Sequence, residues 1–195
     1  NTASRSDSTI ETDQDNYVAG KPIFVKVTLR DDKGNGVTGR KELLKQAVKV
    51  DNTKADAVSA WTEESEGIYK ASYTAHLIGD KLTAQLTMPG WKTKHSDAFS
   101  IAGDKDTAKI AAMQITANNA VARRDHNTVA VTVRDVHQNL LQGQNVTFTV
   151  VNGAAVFADP NGGIVTTDKD GIASINLASD QAVNSLIKAE INGSS

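Results

Sequence analysis

The sequence predicts two all-β sandwich domains in tandem, and three observations carry that prediction. The chain repeats itself at one fixed interval, apolar residues fall on alternate positions inside each copy, and turn formers separate the alternating runs.

Val25-Lys26-Val27-Thr28-Leu29-Arg30-Asp31 reads against Val129-Ala130-Val131-Thr132-Val133-Arg134-Asp135, an offset of 104 residues. The same offset carries Asn35 onto Asn139, Val37 onto Leu141, Gly39 onto Gly143, Gly67-Ile68 onto Gly171-Ile172 and Leu82 onto Leu186. A constant interval held over that span marks duplicated structural units. With 195 residues in the chain, each copy has roughly the 100 residues that a sandwich needs. Each is also large enough to bury a core of its own.

Within a copy the period is two. Ile23, Val25, Val27 and Leu29 alternate as a half-buried strand requires, and Val129, Val131 and Val133 repeat the pattern. Val146, Phe148 and Val150 predict another strand. Ala173, Ile175 and Leu177 predict a third, matched in the first copy by Tyr69, Ala71 and Tyr73. Ile187, Ala189 and Ile191 correspond to Leu82, Ala84 and Leu86 with a slip of one residue. Between these runs stand Lys33-Gly34-Asn35-Gly36, Asn152-Gly153, Asn161-Gly162-Gly163 and Asp168-Lys169-Asp170-Gly171, residues suited to tight turns. Short strands, only three prolines and no long helical period make an all-β sandwich.

One segment departs from the pattern. Leu43, Leu44, Ala47 and Val48 are spaced as on a helix, so a short helical insertion is expected near 41–47, leading into a strand at Ala47 to Val50. Ala98-Phe99-Ser100-Ile101 is expected to be the last strand of the first copy. The domains are therefore placed at 1–102 and 109–195, with a polar linker at 103–108. The counterpart of Ile101 would fall near position 205, so the second domain is expected to lack its last strand.

Composition narrows the function classes. Lysine and arginine number 21 against 23 acidic residues, a net charge of −2 with a pI near 6.1. Nucleic-acid binders carry a basic footprint, and the adjacent pair Arg123-Arg124 alone does not make one. There is no cysteine, which excludes disulfides, thiolate metal sites and a cysteine nucleophile. No apolar run approaches the roughly 18 residues of a membrane-spanning helix.

At this point a resemblance emerges. Val131-Thr132-Val133-Arg134-Asp135, Asn139-Leu140-Leu141-Gln142-Gly143, Val146-Thr147-Phe148, Thr167 through Ala173 and Ile187 through Gly193 resemble the bacterial immunoglobulin-like (Ig-like) domains of the intimin/invasin adhesins, the inverse autotransporters. The first copy looks like a divergent member. It keeps Val27-Thr28-Leu29-Arg30-Asp31, Gly34-Asn35-Gly36-Val37-Thr38-Gly39, Trp61-Thr62, Gly67-Ile68-Tyr69 and Gly90-Trp91-Lys92. The resemblance implies two tandem Ig-like β-sandwiches on the bacterial cell surface, in the extracellular passenger of an outer-membrane adhesin. It implies a β-barrel anchor outside this sequence and a host cell-surface or extracellular-matrix component as partner. The alternative is an accessory Ig-like module of a secreted enzyme whose catalytic domain lies elsewhere.

The remaining candidates for chemistry have plainer readings. His76, His95, His126 and His137 fall at no spacing of three to five residues, so no local zinc motif is present. Asp168 to Gly171 lacks the rest of a twelve-residue calcium loop and reads as a hairpin turn. The acidic run Glu63-Glu64-Ser65-Glu66 reads as a turn too, and Asp104 and Asp106 offer only a weak interdomain calcium site. Asp31-Asp32, at a strand end, reads as a turn cap. No nucleophile elbow or phosphate loop occurs, so the chain is read as no enzyme, with no cofactor. Trp61, Tyr69 and Tyr73 are assigned to strands and core. Trp91, in a loop after Pro89-Gly90, is the one residue singled out for partner contact, against the alternative that it folds back over the sandwich edge.

Overall fold

A computed structural model describes residues 1–116, 122–123, 126–158 and 161–191. The chain divides into two compact units, Asn1–Ala102 and Gly103–Ser195.

The first unit runs β1 (Thr9–Thr12), β2 (Asn16–Val18), β3 (Pro22–Thr28), α1 (Lys41–Ala47), β4 (Val48–Val50), β5 (Thr62–Ser65), β6 (Ile68–Thr74), β7 (Gly79–Leu82), β8 (Ala84–Leu86), β9 (Lys94–His95) and β10 (Phe99–Ala102). One sheet has the order β1-β3-β6-β5; the orders β2-β10-β7 and β4-β8-β9 make up the rest. The alternation in β3 does what it predicts. Ile23, Val25 and Val27 are fully buried opposite Tyr73, Ala71 and Tyr69, while Phe24 and Lys26 face outward. Burying each such side chain is worth about 1.5–3 kcal/mol, so these cross-strand pairs hold the register.

Helix α1 follows the spacing of its leucines. Leu44 and Ala47 are buried, Leu43 packs on the same core, and Lys45 pairs with Glu42 at 2.7 Å. A helix of seven residues is too short to be stable by propensity, so packing holds it in place.

The second unit runs β11 (Lys109–Ile115), β12 (Asn127–Arg134), β13 (Asn145–Asn152), β14 (Val156–Phe157), β15 (Ile164–Thr166), β16 (Ile172–Ala178) and β17 (Leu186–Ile191). Its sheets have the orders β11-β12-β16-β14 and β15-β13-β17. Val129 and Val131 lie opposite Ile175 and Ala173; Val146, Phe148 and Val150 lie opposite Ile191, Ala189 and Ile187. Those pairs line the inner faces of two sheets, the arrangement of a sandwich.

Three expectations need correction. Glu63 to Ser65 belongs to β5, paired with β6 across a bulge, and the turn is displaced to Gly67. Trp61 is buried but precedes β5 rather than lying on a strand. Leu82, Ala84 and Leu86 are not one strand: the ladder breaks at Thr83, after Lys81 takes φ of 56°. In the second unit β17 runs without a break, and the irregularity falls instead between Val150 and Asn152 of β13.

Candidate functional site

The polar groups that both units share sit where β3 and β12 end. In the first unit the Asp31 carboxylate accepts hydrogen bonds from the backbone N–H of Lys33 (3.0 Å) and Asn35 (2.8 Å), and from the Asn35 and Asn1 side-chain amides. In the second, Asp135 accepts from the backbone N–H of His137 (2.8 Å), Asn139 (2.8 Å) and Asp104 (3.1 Å), and from Asn139 Nδ2 (2.9 Å). Aspartate followed four residues later by asparagine builds this turn because one short carboxylate can reach N–H groups two and four positions on.

Electrostatics follow the hydrogen bonds. The Asn35 side chain and the turn N–H groups hold the Asp31 carboxyl below its ordinary value. Asp135 is fully buried, which alone would raise its pKa. The Asn139 amide and the N–H groups of Asp104, Asn139 and His137 outweigh that penalty and leave it lowered. Glu63 is lowered chiefly by the Gly39 N–H. Each of these carboxylates is engaged by backbone N–H groups, a task that belongs to the fold.

The two units satisfy the same carbonyl by different means. Tyr69 Oη donates to the Val37 oxygen at 2.6 Å. At the equivalent position in the second unit, Thr167 Oγ1 donates to the Leu141 oxygen at 2.6 Å. Beside these contacts Gly67 and Gly171 take φ of 74° and 69°. A Cβ would lie 2.4 Å from the Leu29 oxygen in one case and 2.9 Å from the Val133 oxygen in the other. Only glycine fits both positions.

The sequence candidates end up scattered. His95 Nδ1 lies 3.1 Å from Thr83 Oγ1, and the His137 backbone serves the Asp135 turn. His126 is exposed. Asp168 Oδ1 accepts from the N–H groups of Asp170 and Ile172, closing a turn in which Gly171 has positive φ. Asp104 Oδ1 caps the short 3-10 turn Lys105–Thr107 through the Asp106 N–H. Among the described residues no group of three histidine, aspartate or glutamate side chains is placed to hold a metal ion. Trp91 is partly buried against the first unit's core. Arg124 and Asn192-Gly193 lie outside the described residues.

One feature of the outer surface was not singled out from sequence. Phe24 is 50% exposed on the outward face of the β1-β3-β6-β5 sheet. It lines a shallow groove of about 530 Å³ with Glu11, Asp13, Lys26, Glu64 and Lys70. Lys26 pairs with Glu11 at 2.6 Å and Lys70 with Glu64 at 2.7 Å, so two ion pairs and the Asp13 carboxylate surround one aromatic. The signal was available, since residues on either side of Phe24 belong to the buried alternation.

Fold and turns together define a class: a tandem of Ig-like β-sandwiches built on a repeated Asp-x-x-x-Asn frame. Residues 110–195 match the bacterial Ig-like domain family, group 1, and the second unit belongs to it. The chain is 36% identical over 191 residues to the inverse autotransporter adhesin YeeJ of Escherichia coli strain K12, across 97% of this chain and 8% of that protein. It is therefore a homologue of one small part of a much longer adhesin. Among solved structures, the Escherichia coli adhesin FdeC superposes with a TM-score of 0.62 at 18% identity, over 99% of this chain and 61% of that one. InvD of Yersinia pseudotuberculosis gives 0.57 at 19%, over 97% and 54%. Invasin, a bacterial integrin-binding protein, gives 0.54 at 14%, over 98% and 38%. At those identities the structures speak to the fold, and the fold is that of the intimin/invasin Ig-like domains.

Proposed function

We propose that this chain is a stalk or passenger segment of a bacterial outer-membrane adhesin, exposed on the cell surface, without catalytic activity, and serving host attachment. The observation that carries the reading is the 36% identity to an inverse autotransporter adhesin across both units. The turns add to it, because their buried and hydrogen-bonded carboxylates are engaged by backbone N–H groups rather than directed at a substrate. The partner is a host cell-surface or matrix component, and the anchor is a β-barrel elsewhere in the full protein. The accessory-module reading draws no comparable support, since the relative is an adhesin.

The test is made in the full-length protein displayed on bacteria. The two units are deleted, or replaced by two unrelated Ig-like domains of similar length, and attachment to cultured host cells and matrix proteins is measured. Loss on deletion with recovery on replacement assigns a spacing role; loss in both assigns direct contact. Attachment unchanged by either would overturn the proposal.

A further inference from the structure

The sequence holds four Asn-Gly pairs, and two of them sit in turns of contrasting geometry. An asparagine followed by glycine can cyclise, because no glycine side chain crowds the nitrogen on its way to the carboxamide carbon. Asn152 ends β13, and both Asn152 and Gly153 are exposed. The Gly153 N–H donates to Asn152 Oδ1 at 2.7 Å, which holds that nitrogen beside the carboxamide it would attack. Asn35-Gly36 lies in the Asp31 turn. There Asn35 Nδ2 donates to both Asp31 oxygens, at 3.2 and 3.1 Å, which turns the carboxamide toward the carboxylate. Gly36 is bridged to Arg30, and a Cβ on it would overlap the Glu66 carbonyl. One carboxamide faces its attacking nitrogen; the other is clamped beside a negative charge.

We propose that Asn152-Gly153 is a site of spontaneous covalent modification, a deamidation that the fold permits here and suppresses at Asn35-Gly36. The Gly153 nitrogen gives up its proton and forms a bond to Asn152 Cγ. The Cγ–Nδ2 bond then breaks, Nδ2 leaves as ammonia, and a cyclic imide remains. Water opens the imide at either carbonyl and gives aspartate or isoaspartate, with nothing oxidised or reduced. The ring closes through an anion, so the Asp31 carboxylate opposes the same step at Asn35. In the isoaspartate the main chain runs through the side-chain carbons and gains a methylene. Asn152 faces Leu186 across an irregularity in the ladder, and Gly153 lies against Asn184 and Ser185. Modification therefore adds a negative charge and loosens the start of β17.

The chain is aged in mild alkali at physiological temperature, and peptide mapping by mass spectrometry resolves each pair. Asn152 should convert at least about tenfold faster than Asn35, since an anion formed beside a carboxylate is disfavoured by that factor or more. In urea, with both turns unfolded, the two pairs should convert at similar rates. Amide exchange at Leu186 and Ile187 should quicken in the aged chain. N152Q, whose ring closure is slower, should keep the fresh pattern after the same treatment. Asn35 converting as fast as Asn152 in the folded chain would overturn the proposal. So would the same ratio surviving in urea, since the turn geometry would then play no part.

Discussion

The first unit buries 22 core residues and the second nine among those described, although both are drawn on the same frame. What the copies keep is the polar geometry: the aspartate-asparagine turn, the glycine 104 residues from its partner, the carbonyl of Val37 or Leu141 closed by a hydroxyl. What they exchange is filling. Tyr69 becomes Ala173, Trp61 and the α1 leucines have no counterpart among the second unit's core residues, and Phe148 is left as its largest buried side chain. The lesson is that turns with several simultaneous hydrogen bonds tolerate little change, whereas cores tolerate any filling of suitable volume.

The sharpest way to break the comparison is at Phe148. Phe148→Ala should cost about 3–5 kcal/mol, enough to unfold the lightly packed second unit and leave the first intact. Calorimetry would show one transition lost and one kept. Simultaneous loss of both would mean that the units do not melt independently.

Alkali should separate the units in the opposite sense. All three tyrosines lie in the first unit. Burial, reinforced by the Asp13 carboxylate, pushes Tyr17 up to about 12, and burial pushes Tyr73 up to about 12. A raised folded pKa gives stability that is complete below the ordinary value of 10 and is lost as pH climbs through the folded value. Between pH 10 and 12 the first unit should weaken as phenolate absorbance appears, without a tyrosine contribution in the second. Acid acts on both units. Asp31, Glu63 and Asp135 have lowered values, so their contribution holds above the ordinary carboxylate range and fades as pH falls through the folded values.

Asp135→Ala should destabilise the second unit by about 2–3 kcal/mol, since it strands buried N–H groups and removes charge-assisted bonds. Asparagine at the same position keeps an acceptor and should recover part of that loss. Equal melting temperatures for D135A and the parent would sink this account of the turn. The smallest effect is expected at Trp91, whose substitution by alanine removes only a partly buried contact. Attachment that falls in W91A by more than the modest stability loss would assign partner contact to that indole.

The strands built on Ile23, Val129, Val146, Ala173 and Ile187 were legible because burial on one face imposes a period of two. So was α1, from leucines at helical spacing. The break at Thr83 was not, because it depends on a lysine taking positive φ, which no side-chain pattern announces. The acidic stretch at Glu63 suggested a turn because its charges mask a short edge strand, where Glu64 pairs with the cross-strand Lys70. Trp91 is legible as a loop tryptophan, with folding back over the sandwich edge as the other reading, and its ring is partly buried against the first unit's core. Phe24 escaped notice since hydrophobic residues next to buried neighbours are readily counted as buried themselves.

The aspartate-asparagine turn also has a kinetic consequence. Its bonds join residues two and four apart, so closing it loses little chain entropy, whereas pairing Val27 with Tyr69 must close a loop of some forty residues. Each copy carries its own early-forming element just beyond the end of β3 or β12. Substitutions at Asp31 and Asp135 should then slow folding more than they speed unfolding, a division that stopped-flow kinetics measures. A repeat with such a local nucleus can begin to fold without waiting for its neighbour.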